Sequence, residues 1–208
     1  MTDSPSRAYH HGNLRAELIE QAVNQLRETP PEQLSLRAVA RALGVSQTAP
    51  YRHFEDKEAL LVALSTRGYA SLLDALRAAR KGAGDGGAEQ LCAVARAYVD
   101  FAATEEQLFK LMFGPLAQPS ARYPELRNIS RQTLYLVQEI LQHGMLRNEF
   151  VEQDVVYLAN AAWAGIHGIA TLRLDAPALF RKHVDITRQI DVAVDTFIAG
   201  IAREGHGA

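Results

Sequence analysis

A single cysteine, Cys92, stands among the 208 residues. One thiol excludes a disulfide framework and any multi-cysteine zinc or iron–sulfur site, and it suits a reducing compartment. A large net charge is missing too. The 22 Lys and Arg against 24 Asp and Glu leave a formal −2, so the chain is not coated in basic residues. Met1 to Arg15 is polar and has no apolar core, which excludes a secretory leader there. Sustained alternation of apolar and polar residues, the mark of a half-buried strand, occurs nowhere. No internal repeat or low-complexity tract is found. One stretch lacks charge: residues 155–172, eighteen in all, reach the lower bound for a membrane span. It contains Asn160, Gly165, His167, Gly168 and Thr171, and reads better as a helix buried on several sides by protein.

What remains is the composition of an ordinary globular chain, 48% hydrophobic and 22% charged, long enough to build its own core. Residues 1–81 carry eleven Lys and Arg against nine Asp and Glu, and residues 82–208 eleven against fifteen. The basic excess therefore lies in the N-terminal part. Helical spacing recurs throughout. Leu14, Leu18, Ala22 and Leu26 repeat every fourth residue, predicting a helix over 13–28 that Thr29-Pro30-Pro31 stops. Ser35 is placed to cap a short helix carrying Leu36, Val39, Ala40 and Leu43, and Gly44 to supply its left-handed end. A second short helix is expected from Ser46 or Gln47 to near Phe54, and a long one from the Asp56 cap towards Arg80. Lys81 to Ala88, with four glycines in eight residues, reads as a flexible loop. Further helices are expected over 89–104, 106–113, 124–147, 154–172 and 186–203. The fold class is all-α. The organisation expected is a three-helix helix-turn-helix unit over 1–57, joined by the long helix to a helical ligand-binding and dimerisation unit over 58–208.

Leu36 to Phe54 is the informative segment. LRAVARAL, the turn Gly44-Val45-Ser46, and QTAPYRHF make a helix-turn-helix, whose second helix enters a major groove. Gln47 can bond adenine through two atoms, and Thr48 and Ala49 are short and offer methyl contacts to thymine. Tyr51, Arg52, His53 and Lys57 bring donors or positive charge to a phosphate backbone. Pro50 falls early in the second helix, where a missing amide costs little.

The run LSLRAVARALGVSQTAPYRHFEDKEALLVAL resembles the DNA-binding domain of the TetR family of bacterial transcriptional regulators. Ser35, Val39-Ala40, Gly44-Val45-Ser46, Tyr51, His53-Phe54, Lys57-Glu58 and Leu60 occupy the places of that family's motif, and the likeness spans roughly Tyr9 to Leu64. The resemblance implies that Gln47, Thr48 and Tyr51 read bases, while Ser35, Ser46, Arg52, His53 and Lys57 hold phosphates. Phe54 is assigned to packing. Two departures stand out: Pro50 replaces the usual leucine before the tyrosine, and Thr29 to Gln33 the usual glycine after the first helix. The resemblance further implies a cytoplasmic homodimer, nucleoid-associated when bound to an inverted-repeat operator, and most often a repressor released by a small molecule.

In the second half, FKLMFG and WAGIHG resemble the C-terminal domain of one branch of that family, named for its Trp-His-Gly signature. Phe101, Phe109, Met112 and Phe113 cluster around one short helix. Trp163 and His167 stand four residues apart on one face of the uncharged helix. Hydrophobic packing accounts for such residues in most helical proteins. The functional alternative is an apolar pocket with one polar group in its wall, taking an apolar or aromatic effector. Cys92 reads as a small hydrophobe. His10 and His11 are adjacent, and His143, His167 and His183 show no ligand spacing, so neither a metal nor a cofactor is called for. An enzyme using His167 as base would need a nucleophile, acid pair or metal cluster, and none stands at recognisable spacing. An activator, or a constitutive binder with a vestigial pocket, fits the same residues. The small residues of 159–170 and the apolar face of the last helix (Ile190, Val194, Phe197, Ile198, Ile201) suit a two-fold dimer through the last two helices.

Overall fold

The computed structural model describes residues 13–117, 122–178 and 184–203; His10, His11 and His183 lie outside them. Every element among the described residues is helical. In chain order these are α1 (Leu14–Leu26), α2 (Leu36–Ala42), α3 (Lys57–Gly82), α4 (Gly87–Thr104), α5 (Glu106–Phe113), α6 (Pro124–Leu146), α7 (Val155–Asp175) and α8 (Ile186–Ala199). Short 3-10 turns cover Pro31–Gln33, Ala49–Arg52 and Pro115–Ala117. The only pairing of extended backbone in these residues is an isolated bridge between Phe150 and Ala202.

The caps explain the boundaries. Ser35 Oγ accepts from Ala38 N at 3.2 Å and Asp56 Oδ1 from Ala59 N at 2.8 Å, opening α2 and α3. Gly44, at φ +70°, lets α2 end with Val45 N bonded back to the Ala40 carbonyl at 3.0 Å. α3 runs through the middle of the molecule. It buries Leu60, Leu61, Leu64, Leu72, Leu73 and Leu76, with α1 and α5 against its first half and α4 and α6 along it. Head and body therefore share one continuous apolar core. At the start of α3, Glu58 receives the Tyr123 hydroxyl at 2.5 Å and pairs with Arg122 at 3.6 Å, tying the head to the N-terminal end of α6.

Three expectations need correction. The glycine-rich run is not a loop throughout: α3 continues to Gly82 and α4 begins at Gly87. Only residues 83–86 lie outside the two helices, and Gly87 N at the start of α4 is held by Glu149 Oε2 at 2.6 Å. The last helix ends at Ala199 rather than Arg203. Beyond it Val151 N bonds the Ile201 carbonyl and Arg203 N the Glu149 carbonyl, so the chain leaves the helix to pair with 149–151. The uncharged helix is not covered on several sides. α7 buries Leu158, Ala159, Ile169 and Ala170 against its own chain, while Tyr157 is 76% and Leu172 50% exposed. An ideal Cβ on Gly165 or Gly168 would meet nothing within 4 Å.

A DNA-reading surface and an uncharged cavity

In the head, the turn between α2 and α3 departs from the expected second α-helix. Ala49 N to Ser46 O, Tyr51 N to Thr48 O and His53 N to Pro50 O are bonds of the tighter three-residue kind, and Phe54 N closes the segment with a four-residue bond to Pro50 O at 2.9 Å. The physical cause is Pro50: it has no N–H for the carbonyl four residues back, and its ring crowds that turn. Pro50 is itself buried. The proline thus acts as a core residue beneath the reading segment as well as a missing donor.

The structure brings the expected contact residues to one surface. Gln47, Thr48, Arg52 and His53 are exposed, and Tyr51 shows 48% of its surface. Phe54 is packed, 2% exposed, with the Arg15 guanidinium 5.5 Å above its ring. Ser46 Oγ accepts from Thr48 N at 3.3 Å and shares a 2.8 Å hydroxyl bond with Thr48, which orients both side chains. Ser35 is half-buried and spent partly on its cap. Lys57 Nζ donates to the Glu32 carbonyl, so it also ties down the Pro31–Gln33 turn. Two further cations on α2, Arg37 and Arg41, are exposed. Nothing in their residue type set them apart from other surface arginines.

The body holds an aromatic cluster and, beside it, a cavity. Ring centroids lie 4.6 Å apart for Phe113 and His167, 4.7 Å for Phe109 and Phe113, and 5.0 Å for Trp163 and His167, the last pair stacked. Tyr98 links them. Its hydroxyl lies 2.9 Å from His167 Nδ1 and accepts from Trp163 Nε1 at 3.3 Å. Burial pushes the His167 imidazole below its ordinary value and the Tyr98 phenol above its own. For a neutral imidazole the direction follows the tautomer: with the proton on Nε2, Tyr98 O–H donates to Nδ1 and the phenol proton has an acceptor. Tyr98 carried no sequence signal, since it stands 69 residues from His167.

The cavity measures about 100 Å³ and lies between α3, α4, α6, α7 and α8. Val94, Tyr98, Val137, Trp163, Ile166 and Phe197 are among its walls, and no charged side chain lines it. Of the six pocket residues expected, Trp163 lines this space, while Phe109, Phe113 and His167 fill the adjoining aromatic cluster. Met112 and Phe101 face elsewhere. Met112 is fully buried against Gly68 of α3, and Phe101 borders the groove between α1 and α4. Cys92 is half-buried, its thiol 3.6 Å from Asp191 Oδ1, and burial pushes its pKa up, which keeps it a thiol. No group of three His, Cys, Asp or Glu that could hold a metal occurs among the described residues.

An exposed helix-turn-helix on a helical body defines a class, the DNA-binding regulators with a companion helical domain. The chain belongs to the TetR family. Residues 18–64 match the model of bacterial regulatory proteins of the tetR family, and residues 91–197 that of the tetracyclin repressor-like C-terminal domain. A solved structure from Rhodococcus sp. RHA1, of unknown function, is 33% identical with a TM-score of 0.84, covering 95% of this chain and 100% of that one. An HTH-type transcriptional regulator of Mycobacterium tuberculosis is 32% identical over 102 residues, 49% of this chain. That match spans 44% of the relative, so the chain covers less than half the length of the curated relatives it matches first. FadR of Bacillus subtilis, solved with stearoyl-CoA, shares the fold at 19% identity and a TM-score of 0.72, over 90% of this chain and 99% of that one. The family and its named relatives from Mycobacterium tuberculosis and Bacillus subtilis are transcriptional regulators, not enzymes.

Proposed function

We propose that the chain is a homodimeric repressor of the bacterial cytoplasm, binding an inverted-repeat operator and released from it by a small apolar or aromatic effector. The observation that carries the DNA reading is the exposed array Gln47, Thr48, Tyr51 and Arg52, anchored from below by Pro50 and Phe54. An aromatic ring at 48% exposure on a rigid turn gains nothing for the fold and suits contact with a base or sugar. In this reading Ser35, Ser46, Arg52, His53 and Lys57 contact phosphates, with Ser35, Ser46 and Lys57 already positioned by a cap, a turn and a neighbouring backbone.

Two short reading segments are needed for a useful affinity, since one covers too few bases. The open apolar stripe of α7 (Tyr157, Ala161, Ala164, Gly168, Leu172) and Val192 of α8, 52% exposed, would form the two-fold contact. The cavity touches α6, α7 and α8, and α6 begins at the Tyr123–Glu58 tie to the head. An occupant that favours one position of α6 therefore biases the spacing of the two heads, a population shift that depends on its differential affinity. That FadR was solved with stearoyl-CoA supports a body of this fold as a place for effectors.

The test is selection of random duplex DNA by the purified protein at a fixed salt concentration, with Tyr51→Ala in parallel. The expected result is an enriched inverted repeat and a variant weakened roughly tenfold to a hundredfold on it, the value of about 1–3 kcal/mol of a base contact. Enrichment by neither protein would defeat the operator reading.

A further inference from the structure

We infer that the cavity selects an uncharged, single-ring molecule bearing a hydroxyl group, the phenol class, with that hydroxyl donating to Thr133; this rests on reading the cavity as the effector site. The inference comes from counting hydrogens. Three of the residues that line the cavity carry a polar side-chain group: Tyr98 and Thr133 a hydroxyl, and Trp163 an indole N–H. Each of their protons is already spent. Trp163 donates to Tyr98, Thr133 donates to the Ser130 carbonyl at 2.7 Å, and Tyr98 donates to His167 Nδ1 when the imidazole carries its proton on Nε2. The cavity therefore offers lone pairs and no free side-chain donor.

Thr133 Oγ keeps both lone pairs, whereas Tyr98 Oη already accepts from Trp163. A hydroxyl or N–H on the occupant finds a partner there; a carboxylate or phosphate finds neither donor nor cation and loses its hydration. The CoA portion of an acyl-CoA is excluded from this space for the same reason. Size narrows the class further. An apolar cavity of about 150 Å³ holds benzene, so a space of about 100 Å³ takes no more than one ring. The rings of Tyr98, Trp163 and Phe197 supply flat walls for such a ring.

Trp163 is the only tryptophan in the chain and lines the cavity, so its fluorescence reports occupancy. The full-length protein is titrated with phenol, toluene and benzoate, exciting where the ligands do not absorb, with operator binding measured on the same samples. A saturable phenol response is expected, with benzoate at least about tenfold weaker because it would bury an unpaired charge. Thr133→Val should weaken phenol roughly threefold to tenfold and leave toluene unchanged, the worth of about 0.5–1.5 kcal/mol for one neutral hydrogen bond. Ala193→Leu, which fills the cavity from α8, should abolish the response while circular dichroism shows the fold retained. Benzoate binding as tightly as phenol, no saturable phenol response, or an unchanged response in a folded Ala193→Leu protein overturns the inference. Operator binding persisting when phenol does not bind overturns the ligand class and leaves the DNA reading standing. Phenol binding with unchanged operator affinity supports the ligand class and defeats release by ligand.

Discussion

Removing one oxygen from the middle of the body tests the polar relay directly. Tyr98→Phe keeps the ring that packs against Phe109 at 5.7 Å but deletes the hydroxyl between Trp163 and His167. Two polar groups lose a partner. His167 Nδ1 is half-buried among aromatic rings at a 2.9 Å bond, so its loss approaches the full desolvation penalty, about 1–2 kcal/mol. The Trp163 bond is long at 3.3 Å and the residue is 38% exposed, so water can take over, and its share is at most about 0.5 kcal/mol. The expected total is about 2 kcal/mol, a fall of roughly 4–8 °C in Tm for a chain of this length. Thermal unfolding at one fixed protein concentration measures it, since an assembly would make Tm concentration-dependent. The relay makes a second, sharper statement. His167→Phe removes the other end, and the double variant leaves only apolar rings with no orphaned imidazole. Its cost should fall below the sum of the two single costs by about 1 kcal/mol. A neutral Tyr98→Phe, or strict additivity in the cycle, would refute the reasoning.

Three further outcomes follow from the geometry. Gly144→Ala sets a Cβ 2.3 Å from the Phe150 ring, buried on both sides, and should cost about 2–3 kcal/mol, with Phe150→Leu recovering part of it, as read from urea unfolding. The depressed pKa of His167 means the unfolded chain binds its proton more readily than the folded one. Its contribution to stability is complete above the ordinary value of 6.5 and declines as pH falls through that value towards the folded one; the slope of stability against pH just below 6.5 should shrink in His167→Phe. Ala164→Arg puts a charge on the exposed α7 stripe without touching the core, so it should leave the monomer fold intact and shift sedimentation from dimer to monomer. A charged variant that sediments like the parent would remove α7 from the interface.

Much of this protein is written in local patterns. The four-residue spacing of Leu14, Leu18, Ala22 and Leu26 and the caps Ser35 and Asp56 are short-range features, and each helix they predict is present. Gly44 is a similar case: only a residue at ease with positive φ ends α2 in that way. The candidate contact residues Gln47, Thr48, Tyr51 and Arg52 could be singled out in the sequence because a helix-turn-helix holds them in one short run, and the structure has all four exposed. What stayed hidden depends on partners distant in sequence. The relay of Tyr98, Trp163 and His167 joins α4 to α7, and no spacing announces that a tyrosine 69 residues away will meet a given histidine. Met112 and Phe101 looked like pocket residues by type, yet Gly68 of α3 and the groove beside α1 claim them. The turn at Pro50 is a mixed case: the proline removes one donor locally, while its burial and the 3-10 form of the segment are seen only in the assembled head. Local periodicity and capping therefore determined which segments are helical. Tertiary packing alone decided where an uncharged space remains and which hydrogen-bonding groups beside it are already paired, because those depend on contacts that no single stretch of chain contains.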